Sequence, residues 1–179
     1  MNAISRTHAV SRERGAALVI ALLMLLVLTV LGIAAMNVTR LEERMAGNSR
    51  DINLAFQGAE AGLRDSEERI RLMTSRPGNC SVAPCTVWSR DLPPPDLRNL
   101  PLSWWQGNAL EYGVAGAQEV VEVTRDPLIV TESLGFVPDS LSTGHGPPEG
   151  RDFYKITSNS SGASDTANAV LETTYTRRF

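Results

Sequence analysis

The sequence predicts an α+β protein in which one long N-terminal helix packs on a small antiparallel sheet, and three observations support this. An uncharged apolar run of 21 residues, 16–36, follows Gly15. The next stretch, 37–75, carries apolar residues at helical spacing. The last third of the chain has short runs rich in Val, Ile, Thr and Tyr between turn-forming residues. The 179 residues leave room for this helix and one modest globular domain.

The apolar run is predicted to cross a membrane once. As a helix it rises about 31 Å at ~1.5 Å per residue, which matches a hydrocarbon core of roughly 30 Å. Arg6, Arg12 and Arg14 precede it, so the positive-inside rule places residues 1–15 in the cytoplasm and the chain from residue 37 outside. The run is longer than the apolar region of a signal peptide, about 7 to 15 residues, and no small-residue cleavage site follows it. The small residue is Gly15, before the run, where a protease at the cytoplasmic face can accept an extended glycine.

The stretch after the run is predicted to continue the helix in amphipathic form. Its charged face offers opposite charges four residues apart, as in Glu60 with Arg64 and Asp65 with Arg69, which we expect to be solvated. We expect Gly58 and Gly62 to mark close packing on a sheet, and Pro77 to end the helix. The apolar residues lie mostly three, four or seven positions apart and form one stripe that needs a sheet against its second half: Val38, Leu41, Met45, Ile52, Ala55, Phe56, Ala59, Leu63, Ile70 and Met73.

The middle of the chain, 79–118, is predicted to be irregular because prolines at 93–95 and 101 exclude both helix and central strand. Trp88, Trp104 and Trp105 are expected to anchor it against the helix or the sheet. The alternative is an exposed aromatic patch that serves adhesion or contacts another subunit.

The C-terminal part is predicted to form the sheet. Alternating side chains over residues 169–176 indicate a half-buried antiparallel strand. A loop is expected at 139–150 and a polar turn at 159–165. The predicted strands are 119–124, 128–132, 152–158 and 168–176.

The two cysteines, Cys80 and Cys85, are predicted to form a disulfide, because the topology places them in an oxidising compartment. A zinc site is not expected, since His8 and His145 are the only histidines and four ligands cannot be assembled.

No catalytic residues are predicted. His145 lies in a glycine-rich loop, and the polar turn 159–165 lacks the carboxylates of a calcium loop. Neither a phosphate loop nor a dinucleotide fingerprint is present. A net charge of −3 gives no indication of a nucleic-acid surface. We therefore expect no enzyme activity, no cofactor, no metal, no nucleic acid and no small-molecule substrate.

Three segments carry a resemblance to a known family. They are 15–22, Gly-Ala-Ala-Leu-Val-Ile-Ala-Leu; 41–48, Leu-Glu-Glu-Arg-Met-Ala-Gly-Asn; and 54–61, Leu-Ala-Phe-Gln-Gly-Ala-Glu-Ala. Over residues 10–72 the chain resembles the PilX family of type IV pilus minor pilins, with the N-terminus of a class III prepilin. The fold that this implies is type IV pilin-like. The corresponding organisation is a basic leader at 1–15, a transmembrane and filament-core helix at 16–36, an amphipathic helix at 37–75 and a periplasmic head at 76–179.

The resemblance implies that assembly is the function. Prepilin peptidase would cut between Gly15 and Ala16 and methylate the new amine of Ala16, and removal of the leader takes the net charge from −3 to −5. The chain would pass from the bacterial inner membrane into a pilus or pilus tip with other minor and major pilins. There it would prime or cap the filament and support adhesion and twitching motility.

Two positions depart from the pattern of major pilins. Ala16 stands where phenylalanine is usual, and Ile20 stands where a glutamate is usual. That glutamate is thought to pair with the N-terminal amine of a neighbouring subunit, because a charge inside a membrane needs a partner. Ile20 therefore indicates a subunit of the tip or of an initiating complex. Two alternatives remain open: a pseudopilin of type II secretion, and an unprocessed periplasmic binding or sensory domain anchored in the inner membrane.

Overall fold

The computed structural model describes residues 13–113, 120–139 and 149–179. The chain divides into two compact units, one ending at Gly47 and one from Asn48 to Phe179, which we call the head. The elements are the helix α1 (Glu13–Leu72), a single 3₁₀ turn (Leu97–Asn99), the helix α2 (Leu102–Asn108) and the strands β1 (Leu110–Glu111), β2 (Leu128–Pro138), β3 (Gly150–Ser161) and β4 (Asn168–Arg177).

The four strands form one antiparallel sheet in the order β1-β2-β3-β4. Residues 48–72 of α1 pack on one face of this sheet. The predicted α+β fold, a long N-terminal helix on a small antiparallel sheet, is therefore confirmed. The helix ends at Leu72, just before Pro77, as expected.

The head has a core on each face of the sheet. Between α1 and the sheet lie Ile70, Val87, Ile129, Tyr154 and Ile156, all buried. On the opposite face the irregular middle segment packs against Val130 through Cys85, Trp88, Leu97 and Trp105. Ile129 and Val130 point to opposite faces because successive side chains of a strand alternate. The sheet is thus the middle of three layers.

The tryptophans anchor the middle segment, as one of the two interpretations predicted. Trp105 is fully buried and Trp88 is 6% exposed, so an exposed aromatic patch formed by these two residues is excluded. The backbone of Trp88 bonds to β2, with its N–H donating to the Thr131 carbonyl at 2.8 Å and its carbonyl accepting from the Ser133 N–H at 2.9 Å. The predicted Cys80–Cys85 disulfide is present, with the two Cα atoms 5.8 Å apart.

Small residues carry the contact of α1 with the sheet, and they include both glycines that the sequence singled out. A Cβ atom at Gly62 would lie 2.9 Å from the Pro127 Cβ and closer still to the Ser158 Oγ. A Cβ at Gly58 would contact the Ser160 Oγ in the same way. Such distances leave no room for a side chain, so close packing at Gly58 and Gly62 is confirmed.

Only some residues of the predicted apolar stripe of α1 pack on the sheet. Ile52 and Phe56 are 51% and 49% exposed, whereas Ala55 and Ala59 are fully buried. The sheet approaches so closely that only small side chains fit beneath it, and the larger ones lie at the flank. Towards the C-terminal end of α1, Ile70 belongs to the core and Leu63 packs against it.

The predicted strand at 119–124 is wrong for its described part, 120–124. Val121 is 82% exposed and Glu122 has a φ of 74°, which a strand does not allow. The Asp126 carboxylate accepts from the Val120 N–H at 3.0 Å and favours a turn instead. The first strand is β1, two residues long.

The polar stretch predicted as a turn, 159–165, is partly strand, since β3 continues to Ser161. Ser158 and Ser160 are buried against α1, where small polar residues fit opposite the glycines. A composition typical of turns is thus overridden by tertiary packing. The predicted half-buried character of β4 is confirmed, since exposed side chains alternate with partly buried ones from Leu171 to Arg177.

Candidate assembly site

The apolar part of α1 presents an uninterrupted hydrophobic surface. Its large side chains from Leu18 to Met36 are all more than half exposed, from 51% at Val27 to 68% at Met36. The most apolar 18-residue window has a mean hydropathy of 3.0, and none of it is buried. By length and composition this helix is a candidate membrane anchor. So large an apolar surface is stable in lipid or against other apolar helices, and not in water.

Gly15 and Ala16 lie at the start of this surface. Both are exposed, and no heavy atom lies within 4 Å of the position that a Gly15 Cβ would occupy. The bond between them lies at the N-terminal end of the described part of α1, directly before the apolar surface.

Ile20 is 58% exposed, one turn further along the helix. No charged residue occurs between Ala16 and Met36. This segment therefore offers no carboxylate to a positively charged amine.

Two hydrogen bonds that the sequence did not predict join α1 to the turn between β3 and β4. The Asp51 carboxylate accepts from the Ser164 N–H at 3.1 Å and from the Ser164 hydroxyl. The hydroxyl bond is the main cause of a lowered pKa of Asp51. At Gly162 a side chain would collide with Asp51, so glycine permits the turn to approach the helix. Serine and glycine in a polar turn gave no sequence signal of this long-range contact.

The charged face of the helix is only partly as predicted. Glu60 and Arg64 form the expected exposed pair at 2.6 Å. The pair of Asp65 and Arg69, at 2.7 Å, is not solvated, since the side chains are only 4% and 14% exposed. This part of the charged face is therefore buried within the head.

A further ion pair on α1 joins Arg71 to Glu68, three residues before it. This hydrogen bond lowers the pKa of Glu68.

Some of the buried polar groups in the sheet are paired. Lys155 contacts Glu132 at 2.6 Å, and Glu132 also accepts from the Asp91 N–H at 2.8 Å. Beside Asp152, burial raises the pKa of Tyr154 to about 12, so the phenol stays neutral. The hydroxyl groups of Thr157 and Ser158, in contrast, are buried without a hydrogen-bond partner among the described residues.

Within the described ranges, no three His, Cys, Asp or Glu residues lie together so that they could hold a metal ion. His8 and His145 lie outside the described residues. The feature that distinguishes the molecule is the apolar helix surface.

Comparison with known proteins bears on this same region. Residues 14–64 match a family model described as PilX N-terminal. The matched range contains the apolar helix surface, Gly15, Ile20 and the small residues of α1 that pack on the sheet. Neither the comparison with curated proteins nor that with solved structures gave a significant match.

Proposed function

From the match of residues 14–64 to the PilX N-terminal model, we propose that the chain is a pilin of the PilX family and acts as a minor pilin in type IV pilus assembly. The observation that carries the proposal is the helix surface from Leu18 to Met36, apolar and exposed throughout. Such a surface is stable in two surroundings, the inner membrane before assembly and a bundle of pilin helices afterwards. The partners are other minor pilins and the major pilin.

Prepilin peptidase processes the chain between Gly15 and Ala16 and methylates the amine of Ala16. The exposure of both residues directly before the apolar surface of α1 supports this step. The three arginines of the leader favour an orientation with the N-terminus in the cytoplasm and the head in the periplasm.

Ile20 supports a position of the subunit at the pilus tip or in the complex that primes the filament. A subunit inside a repeating helix bundle needs a carboxylate partner for the amine of its neighbour, since an unpaired charge among apolar helices is costly. Residues 16–36 provide no carboxylate. From this position the head supports adhesion and twitching motility.

Mass spectrometry of the mature N-terminus tests the proposal. We expect the chain isolated from cells to begin at N-methylated Ala16. An intact Met1 in a chain with normal function would instead identify an unprocessed membrane-anchored binding or sensory domain.

The variant Gly15→Leu sharpens this test, because a bulky side chain before the scissile bond blocks the extended approach to a protease. We expect unprocessed chain and loss of piliation. Gly32→Leu is the matched control, since Gly32 lies in the same helix with nothing within 4 Å of an added Cβ, and it should be processed normally. Normal processing of both variants would refute Gly15 as the cleavage site.

A further inference from the structure

The head contains a polar cavity at one end of the sheet. Its volume is about 440 Å³, which lies within the range of small-molecule sites. Leu100, just before α2, and Leu102 and Gln106 of α2 line one side of it. Asn159 of β3 and Asn168 of β4 line the side formed by the sheet. Apolar and amide side chains therefore face each other across the cavity.

The register of the sheet determines where the Asn159 side chain points. Asn159 lies directly opposite Leu128 of β2 and Val170 of β4. Both of these side chains pack on the core that lies on the face of the sheet away from α1. Residues directly opposite each other on neighbouring strands share a face. The Asn159 side chain therefore lies on that same face and points into the cavity that it lines.

Asn159 is a buried amide that the head leaves without a partner. The residue is only 8% exposed, and its side chain makes no hydrogen bond with another described residue. A buried polar group without a partner destabilises the folded state. A side-chain amide carries both donors and an acceptor. A ligand in the cavity can supply the acceptor and the donor that Asn159 lacks.

Arg125 is a second group whose hydrogen-bonding capacity the head does not use. It lines the cavity and also a smaller one of about 180 Å³ beside Gln106. Its Nη2 lies 3.6 Å from the Asp165 Oδ1, too far for a hydrogen bond. Its Nε and Nη1 are buried without a hydrogen-bond partner among the described residues. A ligand hydroxyl can accept from Nη2 and donate to the Asp165 carboxylate at the same time.

The charges of the lining favour a neutral ligand. Arg125 and Asp165, one of each sign, are the charged residues that line the larger cavity. The side-chain amides of Gln106, Asn159 and Asn168 complete its polar surface. Amides and hydroxyl groups both donate and accept, so a ligand with several hydroxyl groups complements this lining. The two leucines suit the C–H faces of a sugar ring.

The arrangement of the amides favours a compact ring over an extended peptide. Asn159 and Asn168 are diagonal neighbours on β3 and β4, since Asn159 pairs with Val170 and Asn168 with Ser161. Diagonal neighbours lie about 7 to 8 Å apart, a separation that one sugar ring can bridge. A peptide backbone would instead need partners repeated along one direction.

We propose that this cavity binds a pyranose sugar. The ring lies between the leucines and the sheet, and its hydroxyl groups bond to the Asn159 amide and to the pair of Arg125 and Asp165. The inference goes beyond the proposed function and does not depend on it, because every residue of the cavity belongs to the head.

NMR titration of the full chain tests the proposal. The chain is held in micelles of dodecylphosphocholine, a detergent without sugar, and glucose, galactose and N-acetylglucosamine are added separately. At least one sugar should shift the side-chain amide signals of Asn159 with a millimolar Kd, since each bond to the ligand replaces a bond to water. Sorbitol, an open-chain polyol, should bind about tenfold more weakly because it loses more conformational freedom. Acetate and trialanine amide, the probes for an anion and a peptide, should not shift these signals.

The variant Asn159→Leu separates a binding role from a structural one. It should abolish sugar binding and leave the Tm unchanged or higher, because it replaces an unpartnered buried amide by an apolar side chain. Arg125→Gln should weaken binding about tenfold, the size of one hydrogen bond to a charged group. Arg90→Gln is the matched control, since Arg90 is an exposed arginine that lines neither cavity, and it should bind as the wild type does.

Four results would overturn the proposal. They are no shift with any of the three sugars, equal binding of sorbitol, shifts caused by acetate or trialanine amide alone, and unchanged sugar binding by Asn159→Leu. N-terminal processing, measured separately, tests the proposed function and is unaffected by any of these results.

Discussion

Gly62→Ala tests whether the close approach of α1 to the sheet decides the stability of the head. The added methyl would lie 2.9 Å from the Pro127 Cβ and still closer to the Ser158 Oγ. Ordinary carbon contacts lie at about 3.5 to 4 Å, so the helix or the proline must move by roughly 0.5 to 1 Å. The serine hydroxyl can rotate away, whereas the proline ring cannot.

Two opposing effects set the size of the change. Overpacking a tight core costs about 1 to 3 kcal/mol, and alanine is better than glycine in a helix by about 1 kcal/mol. The expected net loss in the free energy of unfolding is therefore about 1 kcal/mol, which lowers the Tm by about 4 °C for a domain of this size. Thermal unfolding of the full chain in detergent, followed by the fluorescence of the buried tryptophans, measures it.

The controls separate steric crowding from helix propensity. Gly47→Ala makes the same change in the same helix with nothing within 4 Å of the new Cβ, and the Tm of the head should not fall. In the double variant Gly62→Ala, Ser158→Ala the Tm should partly recover, because the Ser158 hydroxyl has no hydrogen-bond partner among the described residues. A Gly62→Ala head that melts at or above the wild-type temperature would refute the packing argument.

Two further predictions concern the head. The pKa of Asp51 is lowered by its bonds to Ser164, so these bonds stabilise the fold above the ordinary pKa of 3.8 and are lost as the pH falls below it. The variant Asp51→Asn should therefore lower the Tm at pH 7 and make the Tm less dependent on pH in the acid range. An unchanged pH profile of the Tm would contradict this. Trp105→Ala should lower the free energy of unfolding, measured by urea denaturation, by about 3 to 5 kcal/mol. The reason is that Trp105 is fully buried between the middle segment and Val130. The control is Trp104→Ala, which changes the half-buried neighbour and should give a much smaller loss.

The cysteines and tryptophans show which features of the fold can be predicted from neighbouring residues alone. Cys80 and Cys85 lie close in sequence within a compartment that allows oxidation, so their disulfide could be predicted without knowledge of the sheet. Burial of Trp88 and Trp105 is one of the two outcomes that the sequence leaves open, and the structure decides between them. Which layer they would cover was left open, since the segment around them has no periodicity that indicates a face.

The errors occur where a long-range contact overrides local preference. Residues 120–124 have the composition of a strand, but the Thr124 N–H donates to the carbonyl of Gly162, just beyond the end of β3, at 2.8 Å, and no strand forms there. Ile52 and Phe56 continue the apolar stripe, yet the sheet covers the adjacent small residues instead. The partner surface for each of these residues comes from a distant part of the chain, and a single sequence does not specify it.

The sequence by itself determined the apolar helix and the position of Gly15 and Ile20, because hydropathy and helix length are local properties that need no partner within the chain. The tertiary structure alone decided that Ser158 and Ser160 lie against Gly62 and Gly58 and that Asp51 holds the turn at Ser164. These features depend on strand order and register, which are set by the packing of all layers at once.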